Sequence, residues 1–373
     1  RSSFTYLGVK EGLPNEKING LIQDSKNNFW FATRGGIIKY NESDSVPFTL
    51  FNKKSGIPVD YITTVFEDKA NNIWVGTLLG IVKIKNNKIE KIYSVLDGVM
   101  NPVTCFFEDQ TGTIWIGTEG GLGKLIGDKI RFYRMFDGLS DGKISSITQD
   151  KSGKLWIGTK SGGINWFNGI EFGHINEDDG LIPSNFINCM IRGPRGGIFI
   201  GTNSGITKFD ENRNTYKTFN TSNCKLSSDN IKMMLFDEDN QLWIGTKEGL
   251  DRISFNPPQI TRQTGEHISE VKHFSKSDGI AGGQINGNAI CEDSDGNLWF
   301  GTNKGAIKHD LSVDNSSEIQ PQTFFTGLEL ENKTTNWSLK NYEIEPWSKI
   351  PKNLVLPYDS STLTFHFADI NYN

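Results

Sequence analysis

Histidine and cysteine are scarce in this chain, at five and four of 373 residues, and their spacing excludes several kinds of chemistry. No two of His174, His267, His273, His309 and His366 form an H-x-x-x-H or H-x-H pair, so a helical zinc motif is absent. Cys105, Cys189 and Cys291 lie in apolar, strand-like runs and Cys224 in a polar loop, none at metal-ligand spacing from another. Buried free thiols are the expectation. There is no phosphate loop and no D-x-D-x-D-G calcium loop, and no catalytic set, metal or cofactor is expected. A basic excess is missing as well. The formal net charge of -5 argues against a nucleic-acid partner, and no like-charge run is long enough to act as a tail. No apolar run reaches the ~18 residues that a membrane helix needs. The opening Arg1-Ser2-Ser3-Phe4 has no signal-peptide pattern, which fits either a cytosolic chain or a mature piece.

What the chain has instead is a repeat. Trp30, Trp74, Trp115, Trp156, Phe199, Trp243 and Trp299 each begin a version of W-I-G-T-x-x-G, at spacings of 44, 41, 41, 43, 44 and 56 residues. That is the period of a four-stranded propeller blade. Three residues before each aromatic stand Asn27, Asn71, Gly112, Gly153, Gly196, Asn240 and Gly296, the residue types that tolerate a positive φ in a tight hairpin. Six before stand Asp24, Asp68, Asp109, Asp150, Gly193, Asp237 and Asp293. Aspartate at the start of a turn bonds the backbone two residues on. Because each lies in a different repeat, these carboxylates read as turn chemistry, not as metal ligands or a glycosidase pair, and the tryptophans read as packing between blades.

Thr33, Thr77, Thr118, Thr159, Thr202, Thr246 and Thr302 follow each aromatic by three residues, and a glycine column (Gly36, Gly80, Gly121, Gly162, Gly205, Gly249, Gly305) by six. Each repeat therefore holds four strands, A to D outward from the axis. The second repeat supplies Ile62–Glu67, Ile73–Thr77, 80–84 and 89–93, alternating as half-buried strands require. The seventh repeat has strands A to C only. The opening Phe4-Thr-Tyr-Leu7 reads as a strand D with no blade of its own. The prediction is an all-β, seven-bladed β-propeller in which residues 3–9 complete blade seven and remove an open edge.

Repeats such as Glu108-Asp-Gln-Thr-Gly-Thr-Ile-Trp-Ile-Gly-Thr118 resemble the two-component-regulator propeller repeat, which fills the periplasmic sensor regions of hybrid two-component systems in gut Bacteroidetes. The resemblance covers about residues 1–310 and all seven copies. Residues 322–373, with Gln322-Thr-Phe-Phe-Thr-Gly-Leu-Glu-Leu-Glu331, Leu354-Val-Leu-Pro-Tyr358 and Leu363-Thr-Phe-His-Phe-Ala-Asp-Ile-Asn-Tyr372, are similar to the first part of the triple-tyrosine domain. That domain is a β-sandwich that follows such propellers. The expected division is a propeller over 1–320 and an incomplete sandwich over 321–373. The resemblance implies a periplasmic sensor module of an inner-membrane protein. The membrane helix, histidine kinase and receiver would lie in segments this chain lacks. It also implies a homodimer, an oligosaccharide ligand derived from a glycan, and signalling by rearrangement of the paired propellers.

Strict repeat positions belong to the fold, so candidate site residues are sought where the repeats differ. Propellers bind at an axial mouth, and in the usual geometry the D-to-A and B-to-C loops share one face. The variable B-to-C positions are Arg34, Leu78, Glu119, Lys160, Asn203, Lys247 and Asn303, whose cations and amides suit carboxylates or hydroxyls. The D-to-A loops add Asn15, Tyr61, Asn101, Asp141, Asn185 and Gln284. Trp166 interrupts a column otherwise made of Lys39, Lys83, Lys124, Lys208, Arg252 and Lys308, and is a candidate contact. The insertion Asn256–Glu266 between strands C and D of blade six is expected on the opposite face, as a contact for the sandwich or a partner. Two other readings compete with the sensor: a non-catalytic interaction scaffold, and a propeller lyase or glycosidase. A lyase of the streptogramin type needs a histidine and a glutamate converging with a metal, and no B-to-C loop carries a histidine.

Overall fold

The structure, a computed structural model, describes residues 3–13, 15–42, 46–99, 102–255, 268–275, 278–280, 285–314, 322–331, 333–334, 337, 343–344, 351–356 and 362–370. The blade-six insertion, Asn101 and Gln284 fall outside them. Clustering of the chain gives two compact units, Ser2–Leu311 and Ser312–Asn373.

The first unit consists of seven four-stranded antiparallel sheets. Blade two holds strand A at Ile62–Glu67, B at Ile73–Thr77, C at Ile81–Lys85 and D at Lys88–Tyr93. Blade seven is completed across the chain's ends. Phe4–Leu7 pairs antiparallel with Ala306–His309, in the register Phe4 to His309 and Leu7 to Ala306. The Phe4 ring stacks on the His309 imidazole at 4.2 Å between centroids. The predicted closure is therefore present, and no blade edge is left unpaired at this seam.

The turn column adopts positive φ in all seven blades, from 60° at Asn71 to 88° at Gly153. The aspartate ahead of it does more than cap the turn. Asp24 accepts from the backbone N–H groups of Lys26 and Asn28 through Oδ1, and from the Trp30 indole Nε1 through Oδ2 at 2.8 Å. The same indole-to-carboxylate bond, 2.7 to 3.0 Å long, recurs at Trp74, Trp115, Trp156, Trp243 and Trp299. Each buried indole thus finds its acceptor inside its own hairpin, and the ring packs on the next blade. Trp30, for example, clusters with Ile62, Val65 and Ile73 of blade two.

Blades approach closely where strand B carries glycine. A Cβ at Gly158 would lie 2.5 Å from Cγ2 of Ile187 in blade five. The threonine column closes the B-to-C hairpin, as where Thr33 Oγ1 donates to the Gly36 carbonyl at 2.8 Å. In blade four this loop is one residue longer. Thr159 bonds the Gly163 carbonyl, and Gly163, not Gly162 of the glycine column, takes a positive φ, 71°.

Among its described residues, the second unit holds a three-stranded antiparallel sheet ordered Lys333–Thr334, Gln322–Leu330, Leu363–Ile370. Trp337 is buried and its Nε1 donates to the Leu328 carbonyl at 2.9 Å.

Candidate functional site

The first five strand A segments, Ile18–Gln23, Ile62–Glu67, Val103–Glu108, Ile144–Gln149 and Ile187–Arg192, share one irregularity, repeated in blade six at Ile231–Phe236. The first residue is a buried Ile or Val, and the register against strand B then slips by one. The extra residue is Asn19, Thr63, Thr104, Ser145, Asn188 or Lys232. In blade seven the slip is wider and spans 286–289. A bulge re-aims side chains at a strand's end, and here it gives each blade one polar residue at the axis. Neighbouring bulges are tied together: Asn19, Asn188 and Asn286 each donate Nδ2 to the carbonyl of the isoleucine that opens strand A of the following blade, at 2.6 to 2.8 Å.

These residues line a cavity of about 410 Å³ to which all seven blades contribute. That is within the range of small-molecule sites. Its wall includes Lys17, Asn19, Tyr61, Leu78, Glu119, Lys143, Ser145, Lys160, Asn188, Lys232 and Asn286. The D-to-A and B-to-C loops do meet at this mouth. A hollow of about 520 Å³ lies at the seam of blades seven and one, but two blades alone build it, largely from repeat positions such as Asp293, Trp299 and Lys308.

The candidate residues divide on this geometry. Tyr61, Glu119 and Lys160 line the cavity. Arg34 stands over the Tyr61 ring, its Cζ 5.0 Å from the centroid. Asn203 is joined to the wall through Asn188, which donates Nδ2 to Asn203 Oδ1 at 2.8 Å. Lys247 and Asn303 are exposed and outside the cavity lining, and Lys247 faces Glu248 at 3.6 Å. Asp141 is used locally, accepting from the backbone N–H groups of Lys143 and Ser161. Trp166 belongs to the blade's outer half. It pairs with Trp156, rests against Gly173 and is covered by the Lys154 ammonium at 4.8 Å. The cations of its column cover rings: Lys83, Lys124, Lys208, Arg252 and Lys308 lie 5.2 to 5.6 Å over the aromatic ring of their own strand B.

Lys160 is a half-buried charge at the mouth. Its ammonium donates to Asn188 Oδ1 at 3.0 Å. Burial pulls it below the usual lysine range, and the like charge of Lys232 acts in the same direction. Nearby Cys105 and Cys189 are buried free thiols pushed up to about 12 by burial, which leaves them unreactive near neutral pH. Among the described residues no histidine lines the mouth, and no group of three or more His, Cys, Asp or Glu has the geometry of a metal site. Sequence reasoning missed Lys17, Asn19, Lys143, Ser145, Asn188, Lys232 and Asn286. Their signal was a polar residue beside the apolar residue that opens strand A.

Six segments match the repeat family described as two component regulator propeller: residues 12–35, 56–78, 99–120, 138–161, 225–248 and 279–304. The copy carrying Gly193 and Phe199 is not among them. A comparison with curated protein sequences finds no match. Among solved structures, the chain is similar to the extracellular domain described as that of a hybrid two component system, BT3049 of B. thetaiotaomicron, at 22% identity and TM-score 0.75 over 99% of this chain and 49% of that one. A second similar structure is an extracellular domain described as that of a one component system, BT4673 of B. thetaiotaomicron, at 19% identity and TM-score 0.63, again over 99% and 49%. The chain thus spans about half the length of those domains. Virginiamycin B lyase from Staphylococcus aureus is similar at 15% identity and TM-score 0.61, over 82% of this chain and 97% of that one. At these identities the likenesses establish the propeller fold.

Proposed function

We propose that this chain is the extracytoplasmic sensor part of a hybrid two-component regulator and that it holds its ligand at the axial mouth. The observation that carries this reading is the cavity itself. It is built from the least repetitive positions of all seven blades, whereas the repeated Asp, Trp, Thr and Gly residues are consumed by the fold. The six repeat matches and the likeness to extracellular domains of two-component systems support the sensor class. The ligand in this reading is an oligosaccharide. The chain works as a pair in the longer protein, and ligand binding favours one arrangement of the pair, which requires different affinities for the two arrangements. The unit after residue 311 would be the opening part of a triple-tyrosine sandwich, and a histidine kinase would lie in the longer protein.

Calorimetric titration of an oligosaccharide panel tests it. Saturable binding that Arg34→Ala with Lys160→Ala weakens supports the reading, and binding unchanged in that double variant removes the mouth as the site. Self-association in sedimentation runs, with no ligand across a broad panel, would favour a passive scaffold. The lyase reading draws on fold likeness alone, and catalytic product from a glycan or cyclic-ester panel would be needed to revive it.

A further inference from the structure

The mouth has a charge opposite to that of the chain as a whole. Four lysines line it, Lys17, Lys143, Lys160 and Lys232, against a single acid, Glu119, in a protein of formal net charge -5. Elsewhere lysines find partners: Lys83 pairs with Glu90 at 2.7 Å and Lys91 with Asp128 at 3.1 Å. None of the four mouth lysines enters an ion pair among the described residues. Like charges gathered around one cavity repel, and a concave, partly apolar wall concentrates their field. Nothing in the blade repeat requires this, because the bulge position takes Asn, Thr or Ser in the blades that lack lysine there.

A further observation points into the same space. Lys160 is half-enclosed, with one amide oxygen as its hydrogen-bond partner, and burial works against its charge. An ammonium taken from water without a counter-charge is costly. An anion seated beside it relieves that cost.

We propose that the mouth is an oxyanion site, in which Lys17, Lys143, Lys160 and Lys232 converge on a carboxylate or sulfate ester carried by a small hydroxylated molecule. The inference rests on the mouth being the ligand site and adds the charge of the ligand. The lysines supply charge-assisted hydrogen bonds to the oxyanion. The Asn19 and Asn286 side-chain carbonyls are left to meet hydroxyl groups. The cavity of about 410 Å³ holds a body of roughly one or two sugar rings.

The test uses three probes in calorimetry at low and moderate salt: digalacturonic acid, a disaccharide sulfate ester of the same size, and neutral galactobiose. At least one acid is expected to bind one site per chain, at least tenfold tighter than galactobiose and weaker as salt rises. Whichever acid binds tells carboxylate from sulfate ester. Lys160→Met with Lys232→Met should weaken it tenfold or more, and Lys129→Met, on the outer strand of blade three, should leave it unchanged. The unliganded double variant should melt at or above the parent, because repulsion has been removed. A lower melting point would make these lysines structural and overturn the proposal. Galactobiose bound as tightly as the acids, and weakened by the same variant, overturns the oxyanion assignment while keeping the mouth as the site. Acid binding that ignores the variant overturns both. No binding by either acid overturns the oxyanion assignment.

Discussion

Gly193 lies against the edge of Phe199, so close that a Cβ at residue 193 would meet Cε2 of the ring at 2.8 Å. In the other six blades these positions hold an aspartate and the tryptophan whose indole N–H it accepts. Phenylalanine has no N–H to satisfy, and the blade that lost the donor also lacks the acceptor. The pair varies as one unit because either half alone leaves a buried polar group without a partner.

Phe199→Trp alone should destabilise blade five by about 1–3 kcal/mol, the cost of an indole N–H with no acceptor. Adding Gly193→Asp should recover most of that loss. A double-mutant cycle from chemical denaturation measures the coupling, and additive effects would contradict the account.

Two of the same hairpins contribute to the acid sensitivity of the fold. Burial pushes the Asp109 and Asp150 carboxyls up. Hydrogen bonds from the Thr111 or Ser152 hydroxyl, the Trp115 or Trp156 indole and local backbone N–H groups outweigh it, so both end below the usual aspartate value. A folded-state pKa lowered in this way contributes stability above the unfolded value of about 3.8, lost as pH falls through the folded value. Asp237 has the opposite sign, because burial leaves it raised. Asp109→Asn should therefore flatten the fall in stability below about pH 4, and Asp237→Asn should steepen it, as read from denaturation midpoints between pH 2 and 5.

Closure of the ring depends on the strand that comes first in the chain. Phe4 is buried against His309 and Phe274, at 4.2 and 6.0 Å between centroids. Phe4→Ala should cost about 3 kcal/mol, as buried Phe-to-Ala changes do. Removing residues 1–8 should cost more and should also cause concentration-dependent association in sedimentation, because strand Ala306–His309 becomes an open edge.

Trp166 is a packing residue in this account. Trp166→Lys restores the pattern of the other blades, where a cation covers the strand B ring, and should change stability by no more than about 1 kcal/mol. Ligand binding should be unaffected. Gly173→Ala should be poorly tolerated, since the added methyl falls on the Trp166 indole. Thermal unfolding and titration of the two variants check this.

The blade count, the strand types and the closing strand were legible because the repeat averages out local accident: seven copies of Asn or Gly at one position identify a turn that one copy would not. Two kinds of feature were not legible. The Asp–Trp bond joins residues six apart, a distance that sequence spacing assigns no meaning until the hairpin folds one over the other. The missed wall residues Asn19, Ser145, Asn188 and Lys232 sit at a bulge, where the alternation of strand A slips by one and a side chain that a regular strand would aim elsewhere turns to the axis. Counting from the tryptophan places Gly162 in the glycine column, whereas the one-residue insertion in blade four puts the left-handed residue at Gly163.

The central claim is that function resides at the axial mouth, and hydrogen exchange with and without a saturating oligosaccharide found by the titration panel tests it most directly. The account predicts slowed exchange at once in the strand A openings of several blades, around residues 17–20, 61–64, 143–146 and 230–233, with the hairpins at 24–28 and 68–72 unchanged. Protection confined to those hairpins, or to the outer strands of one blade, would contradict it.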